Sequence, residues 1–148
     1  MQALLDVVVS GTHDPEIEGV ETLVRPALET TAEDVLAADG YILGSTANFG
    51  YMSGAMKHFF DSTFLAVGGS LADDGSADES SGVTAGRPFA LYVHGRYDTT
   101  GAVRSVLAIV SALKWKQSAE VLEVLGDVDQ VALDSAYELG GTLGALLT

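Results

Sequence analysis

The fold of this chain is decided by residues 39–61, which read DGYILGSTANFGYMSGAMKHFFD. The stretch opens with the turn pair Asp39-Gly40 and continues into Tyr41–Ser45, a short apolar run typical of a buried parallel strand. A helix is predicted from about Ser53 to Leu65, because apolar residues recur there at three- and four-residue spacing. Those residues are Met52, Met56, Phe59, Phe60 and Phe64. A buried strand followed by a helix is the repeating unit of an α/β fold.

The same alternation continues towards the C terminus. Residues 87–95, RPFALYVHG, predict a second buried strand, and Thr99 or Thr100 is expected to cap the helix that follows it. A third strand is predicted at Val121–Leu125, and a final helix with an apolar stripe comes after it. Gly140-Gly141 lies near the centre of that helix and is expected to weaken it, so that its far end frays.

Two further elements are predicted before residue 39. Residues 19–25, GVETLVR, alternate in the manner of a strand, which Pro26 ends. A short helix running to about residue 38 is predicted to begin with a capping box formed by Thr30 and Glu33.

The N terminus admits two interpretations. In the first, residues 2–10 are the tail of a helix and Gly11 is its stop signal. In the second, Leu4–Val9 is a strand and Ser10-Gly11-Thr12 is a phosphate-binding loop. The second leaves too few residues before Tyr41 for the helix, strand and further helix that would have to follow. The helix is therefore preferred, although three consecutive valines argue against it.

Strands separated by helices predict a doubly wound parallel sheet with helices on both faces, in one domain spanning residues 1–148. The segment 68–86, GGSLADDGSADESSGVTAG, is small, polar and acidic. Because it has few apolar anchors, it is predicted to be a mobile loop that is dispensable for folding. Its acids lack the ligand order of a calcium loop, so no metal site is predicted.

The composition narrows the classes of function. Twenty-one acidic and seven basic residues give a net charge of −14, which disfavours binding to nucleic acid and to anionic membranes. The absence of cysteine excludes disulfides, thiolate metal sites and cysteine nucleophiles. No apolar run approaches the roughly 20 residues that span a bilayer, and no secretory signal is visible. The chain is therefore predicted to be a cytoplasmic protein without a membrane partner.

Residues 39–61 resemble the third strand, flavin loop and following helix of the flavodoxin-like NAD(P)H:quinone oxidoreductases and FMN reductases, the WrbA-like proteins. In that family the loop reads roughly Gly-x-Pro-Thr-x-Phe-Gly-x-Met, and its backbone and aromatic ring hold the flavin. Thr46 stands where the family has proline, and Ala47 stands where it has threonine. The resemblance places four residues on flavin-contacting positions: Ala47, Asn48, Phe49 and Gly50.

A second stretch, Leu91–Gly101, resembles the fourth strand and its flavin-edge loop in the same family. It adds four residues to the implied FMN site: Gly95, Arg96, Tyr97 and Asp98. The family also cradles the FMN phosphate with a hydroxyl-rich loop after its first strand. If the N terminus is a helix, that unit lies upstream of Met1, and this chain is expected to bind FMN weakly. An uncovered strand edge would then also favour a homo-oligomer.

The position of these two loops in the predicted sheet also indicates a ligand site. Ligands of open parallel sheets bind beyond the C-terminal ends of the strands, and both loops follow apolar strands. Gly50 and Gly95 would let the backbone approach a flat ligand closely. Phe49 and Tyr97 offer aromatic faces, although Phe49 could instead cap the strand end as part of the core.

His94 and Arg96 are the residues to which a reaction could be assigned. His94 is the candidate catalytic residue, a proton donor to a reduced quinone, with a buried hydrogen-bonded histidine as the alternative. Arg96 would hold a pyridine nucleotide or a flavin carbonyl, or else pair with Asp98 at the surface.

The resemblance implies an FMN-dependent oxidoreductase. Such an enzyme takes hydride from NAD(P)H as co-substrate and passes it to a quinone or a similar small acceptor. A flavodoxin-like electron carrier is the alternative, because an acidic surface suits docking onto basic partners. A fold remnant that binds no flavin is the third hypothesis.

Overall fold

Helices and strands alternate along residues 1–71, 73–74 and 82–148, the part of the chain that the computed structural model describes. The α-helices are α1 (Gln2–Thr12), α2 (Ala32–Ala37), α3 (Gly54–Thr63), α4 (Thr100–Ala112) and α5 (Gln130–Leu146). The strands are β1 (Tyr41–Asn48), β2 (Tyr51–Met52), β3 (Pro88–Gly95), β4 (Lys116–Gln117) and β5 (Leu122–Leu125). A short 3-10 turn, Ala27–Glu29, precedes α2. The α/β alternation predicted around residue 41 is confirmed.

The strands form one sheet with β3 at its centre. β1 runs parallel to β3, with Tyr41 opposite Phe89 and Thr46 opposite His94. On its other side β3 pairs in parallel with β4 near its start and with β5 near its end. The two residues of β2 fold back antiparallel on the end of β1. The C-terminal ends of β1, β3 and β5 therefore meet at one edge.

One face of the sheet is packed with large apolar side chains. The helices α3 and α4 cover it, and Phe60 lies fully buried at its centre. The ring of Tyr41 stacks on Trp115 with 4.1 Å between ring centroids. The Nη1 atom of Arg87 donates to the carbonyls of Val35, Leu36 and Ala38 and so holds the end of α2. We call this the aromatic face.

The other face is covered by α1 and α5, which pack through glycine. A Cβ atom on Gly11 would overlap the carbonyl oxygen of Tyr137, and one on Gly140 would overlap that of Val8. The expectation that Gly140-Gly141 weakens the last helix is wrong, because α5 continues unbroken to Leu146. The glycines instead let two helix backbones touch. We call this the glycine face.

The helical interpretation of the N terminus is confirmed, with one correction. Gly11 does not stop α1 but lies buried inside it, one residue before its end. The hydroxyls of Ser10 and Thr12 donate to the helix carbonyls of Asp6 and Val9. Ser10-Gly11-Thr12 is therefore not a phosphate-binding loop.

Two predictions between α1 and β1 need correction. Residues 20–26 show no turn or bend, but they pair with no strand among the described residues, so the strand predicted at 19–25 is wrong. Alternation in sequence indicates a strand only where a partner edge supplies hydrogen bonds. The capping box of α2 lies one residue later than predicted and is formed by Thr31 and Asp34.

The structure describes the segment 68–86 only in part. Residues 72 and 75–81 lie outside the described residues, so the mobility and dispensability of this loop stay predictions. The backbones of Gly68 and Gly82 touch, since a Cβ on Gly82 would overlap the oxygen of Gly68. Thr84 is fully buried, where its hydroxyl accepts from Trp115 Nε1 at 2.8 Å and donates to the oxygen of Val67 at 2.6 Å.

Candidate functional site

Three loops begin side by side where the parallel strands end. His94, near the end of β3, lies opposite Thr46 of β1 and Val124 of β5. We call the edge formed by the loops after these strands (residues 47–51, 95–99 and 125–129) the rim. Both sequence-predicted groups of site residues lie on it, which is where ligands of open parallel sheets bind.

The first loop is a tight hairpin that carries Phe49. Asn48 pairs with Tyr51, so Phe49 and Gly50 alone form the turn, with φ of +52° and +75°. Positive φ at both central positions defines a type I′ turn. A phenylalanine held in this conformation costs about 1–3 kcal/mol.

No packing of the Phe49 ring against the core offsets that strain. The ring is fully exposed, so the hypothesis that Phe49 caps the core is wrong. A hydrophobic residue that is both strained and exposed marks a functional site more readily than a structural one.

The second loop lies against the first. A Cβ on Gly95 would come within 3.0 Å of the Cβ of Ala47, and one on Gly101 would overlap the oxygen of Gly50. Glycine at these positions lets the second loop and the start of α4 approach the first loop closely. Tyr97, on the second loop, is 88% exposed. The structure thus brings two exposed aromatic side chains onto adjoining loops of the rim.

Asp98 and Thr99 shape the start of α4. The carboxylate of Asp98 accepts from the backbone N–H of Thr100 at 3.0 Å, and this bond lowers the pKa of Asp98. Thr99 is the N-cap residue of α4, as predicted. It makes no side-chain capping bond, because its hydroxyl donates to Glu123 Oε1 at 2.7 Å.

His94 connects the second loop to the third. Its Nε2 lies 2.6 Å from the carbonyl oxygen of Gly126, so this nitrogen must carry the proton and donate it there. The ring is half-buried and its Nε2 proton is engaged. The catalytic role of His94 stays a prediction, and only Nδ1 would be available for it.

Arg96 is exposed and unpaired within the described ranges 1–71, 73–74 and 82–148. The ion pair found in that part of the chain joins Lys57 to Asp61. No ion pair joins Arg96 to Asp98 in that part of the chain, so the alternative that the two pair is wrong. A free guanidinium on an acidic rim can bind an anionic or carbonyl-bearing group.

The backbone of the rim also offers hydrogen-bond donors. Among the described residues, the N–H groups of Phe49, Gly50, Tyr97 and Asp98 donate to no other backbone group. Free N–H groups beside exposed rings suit a planar ligand whose edge carries oxygen and nitrogen acceptors.

The sequence analysis did not place the third loop in the candidate site. Glu123 reaches Thr99 and Gly126 accepts from His94, so both take part in the hydrogen bonds that hold the rim. The signal was available, because Gly126 follows an apolar strand in the same way as Gly50 and Gly95 follow theirs.

Comparison with known proteins gives a partial sequence match. The chain is 41% identical over 58 residues to a flavodoxin from Aquifex aeolicus (strain VF5), a match that covers 39% of this chain and 30% of that protein. The chain thus matches less than a third of the length of this curated relative. No protein-family model matches.

Solved structures match over nearly the whole chain. A flavodoxin from the domain Archaea superimposes with a TM-score of 0.76 at 15% identity, covering 99% of this chain and 89% of that one. The fold is flavodoxin-like. A flavodoxin-related, WrbA-like protein from Agrobacterium tumefaciens gives a TM-score of 0.70 at 11% identity, covering 98% and 87% of the two chains. The flavodoxin-like fold expected from residues 39–61 is confirmed.

Two further kinds of feature are absent from residues 1–71, 73–74 and 82–148. None of the helices there is both long and apolar enough to cross a membrane. That part of the chain also holds no cluster of three or more His, Asp or Glu side chains suited to a metal ion.

Proposed function

We propose that this chain binds the ring system of a flavin at the rim and transfers electrons through it. The observation that carries the proposal is Phe49, a fully exposed aromatic residue held at φ +52° beside the Gly95 loop. The flavodoxin-like fold and the 58-residue match to a flavodoxin support the same cofactor.

The residues of the rim fit the flavin ring. Phe49 and Tyr97 would stack on it, and the free N–H groups of Gly50 and Asp98 would bond its heteroatoms. Arg96 would lie near a carbonyl oxygen or an anionic group. When bound, the flavin supplies the electron or hydride chemistry, whereas the chain positions it and sets its surroundings.

The described residues fit the phosphate of FMN less well. The hydroxyls of Ser10 and Thr12, the sequence's one resemblance to a phosphate loop, are used inside α1. Ser45, inside β1 near the rim, is buried, and its hydroxyl donates to the oxygen of Thr46 and accepts from the N–H of Ser53. We therefore propose that this chain takes FMN and riboflavin with similar affinity.

Electron transfer without a bound substrate is the function we propose first. The rim is open at both aromatic residues, and the acidic charge of the chain would attract a basic partner. NAD(P)H:quinone oxidoreductase activity is the second candidate, favoured by the similarity to the WrbA-like protein. It would use NAD(P)H and a quinone as small-molecule substrates, with Arg96 holding the nucleotide and Nδ1 of His94 handling the proton.

Flavin titration tests the site. FMN fluorescence should be quenched on binding, and Phe49→Asn should weaken binding by about 1–3 kcal/mol through the loss of one stacking face. Asparagine is chosen because it accepts positive φ, so the turn is kept. Leu65→Ala, at another exposed apolar residue, beyond α3, is the matched control and should leave affinity unchanged. Equal flavin affinity in the unmodified protein and both variants would show that the flavin does not bind at the rim.

A second assay separates the two functions. The flavin-loaded protein is mixed with NADH or NADPH and benzoquinone, and in parallel with chemical reductant and cytochrome c, a basic protein. A carrier reduces cytochrome c in a salt-dependent way and leaves NAD(P)H unconsumed. Rapid quinone-dependent NAD(P)H oxidation that Arg96→Gln slows would favour the oxidoreductase.

A further inference from the structure

A groove lies beside α4 at the end of the sheet opposite the rim. Its volume is about 510 Å³, and residues of α4, β3 and β4 line it. A volume of this size is typical of sites for small molecules. Phe89, one of its lining residues, lies six residues before Gly95 in β3, so about 20 Å of strand separates the groove from the rim. The groove is therefore separate from the candidate flavin site.

The floor of the groove is apolar and held in place. Its buried lining residues are Phe89, Val110 and Trp115. The Trp115 ring stacks on Tyr41, and its Nε1 donates to the hydroxyl of Thr84 at 2.8 Å. Because that N–H is already used, the indole presents no hydrogen-bond donor to the groove. The floor thus suits the apolar part of a ligand and needs no rearrangement to receive it.

One side of α4 forms a wall of the groove. The residues of this wall recur at three- and four-residue spacing and are Arg104, Leu107, Ala108 and Ser111. Leu107 is half-buried, whereas the other three are exposed. Seven residues of helix between Arg104 and Ser111 make the wall about 10 Å long. The groove is therefore elongated, with a cationic side chain at one end of an apolar path.

The charge around the groove differs from that of the rest of the chain. Residues 99–119 hold three of the seven basic residues, Arg104, Lys114 and Lys116, and none of the 21 acidic ones. Arg104 makes no ion pair or hydrogen bond with any described residue, so its guanidinium is available to a ligand. In so acidic a protein, a small anion is repelled from most of the surface and is attracted to this region.

We propose that the groove binds a linear aliphatic carboxylate. The carboxylate group lies at Arg104, whose planar guanidinium matches it in two parallel hydrogen bonds. The aliphatic chain extends along Leu107 and covers Trp115, which removes apolar surface of both partners from water. This binding does not depend on the flavin proposed for the rim.

Other occupants fit the groove less well. A neutral apolar molecule would leave the guanidinium of Arg104 unused. A second copy of this chain carries the same charge of −14, so the two copies repel one another. A carboxylate with an apolar chain uses both the cation and the apolar floor.

NMR titration with decanoate tests the proposal. Trp115 is the only tryptophan of the chain, so its indole N–H gives a single resonance that reports on the floor of the groove. Decanoate should shift this resonance and the amide resonances of Leu107 and Ser111. It should leave the amides of Gly50 and Tyr97 on the rim unchanged. Decanol, which has the same chain length and no charge, is the matched ligand.

Two variants identify what the groove recognises. Arg104→Gln should weaken decanoate binding by about fivefold and leave decanol binding unchanged, because only the carboxylate uses the cation. Arg25→Gln makes the same change in net charge at an exposed arginine that does not line the groove, and should have no effect. Ala108→Phe fills the groove from an exposed position and should abolish decanoate binding while the melting temperature stays the same.

Several outcomes would overturn the proposal. One is that decanoate shifts the rim amides and not the Trp115 indole. Another is that Arg104→Gln weakens both ligands equally or weakens neither. Undiminished decanoate binding to a folded Ala108→Phe variant would place the ligand elsewhere. Decanoate binding that is lost as the protein concentration rises would show that a second copy covers the groove, which also contradicts the proposal.

Discussion

The two faces of the sheet are stabilised in opposite ways. The aromatic face fills space with large side chains, such as Phe60 under α3 and the stacked pair of Tyr41 and Trp115. The glycine face removes side chains, so that the backbones of α1 and α5 meet at Gly11 and Gly140. A face filled with side chains is weakened by deletion, and a face built on close approach is weakened by addition.

The largest effect is expected from deletion on the aromatic face. Phe60→Ala should lower the free energy of unfolding by roughly 3–5 kcal/mol, because it leaves a large cavity in a fully buried place. Urea denaturation with an unchanged m-value would measure it. A loss below about 1 kcal/mol would mean that the face collapses to fill the space, and the contrast between the faces would fail.

Addition of one methyl group should weaken the glycine face. Gly140→Ala places a Cβ on the oxygen of Val8 and should destabilise the protein by about 1–3 kcal/mol, although alanine is the better helix former. Gly141→Ala, the next residue, is the control. Its Cβ would meet Gly11 O at 3.6 Å, an ordinary contact, so it should be neutral or stabilise by up to about 1 kcal/mol.

Thermal unfolding of the two alanine variants side by side measures this difference. Similar melting temperatures would show that α1 and α5 can separate without cost.

A polar contact at the border of the aromatic face should matter less than the ring of Phe60. Thr84→Val keeps the shape but leaves Trp115 Nε1 and the oxygen of Val67 without their buried partner. The expected loss is about 1–3 kcal/mol, read from chemical denaturation. Thr84→Ser keeps the hydroxyl and should recover most of the lost stability. If the serine variant is as unstable as the valine variant, its loss of stability comes from the missing methyl group.

The smallest effect lies at the outer end of the glycine face and depends on pH. Tyr137 donates to Asp14 at 2.6 Å, and this bond lowers the pKa of Asp14. The stabilisation is therefore present above the unfolded pKa of about 3.9 and is lost as pH falls through the lowered folded value. Tyr137→Phe should flatten the decline of stability below about pH 4. Parallel acid profiles in the two proteins would show that the bond contributes nothing.

The elements predicted correctly are those whose signal is local. The helix after Ser53 shows its buried stripe in its own spacing, and the strands at Tyr41 and Phe89 show continuous apolar runs. The strand predicted at residues 19–25 failed because a strand needs a partner edge, and its neighbour is not visible in the local sequence. The structural roles of Gly11 and Gly140 were predicted wrongly for the same reason, because each glycine packs against the helix that carries the other.

The candidate site was likewise predictable only in part. Parallel strand ends share one edge, which is enough to place Phe49, Gly50, Gly95 and Tyr97 together from sequence. Sequence could not show that the Nε2 proton of His94 is engaged by Gly126, because that bond joins residues on different loops.

The backbone contact between Gly68 and Gly82 makes this position suited to protein engineering. The two ends of the intervening segment already touch, so a longer insert would not have to draw distant parts of the fold together. Doubling the length of such a loop costs only about 0.6 kcal/mol in closure entropy. A fluorescent domain whose own termini are adjacent could be grafted between these glycines without replacing any residue of the rim.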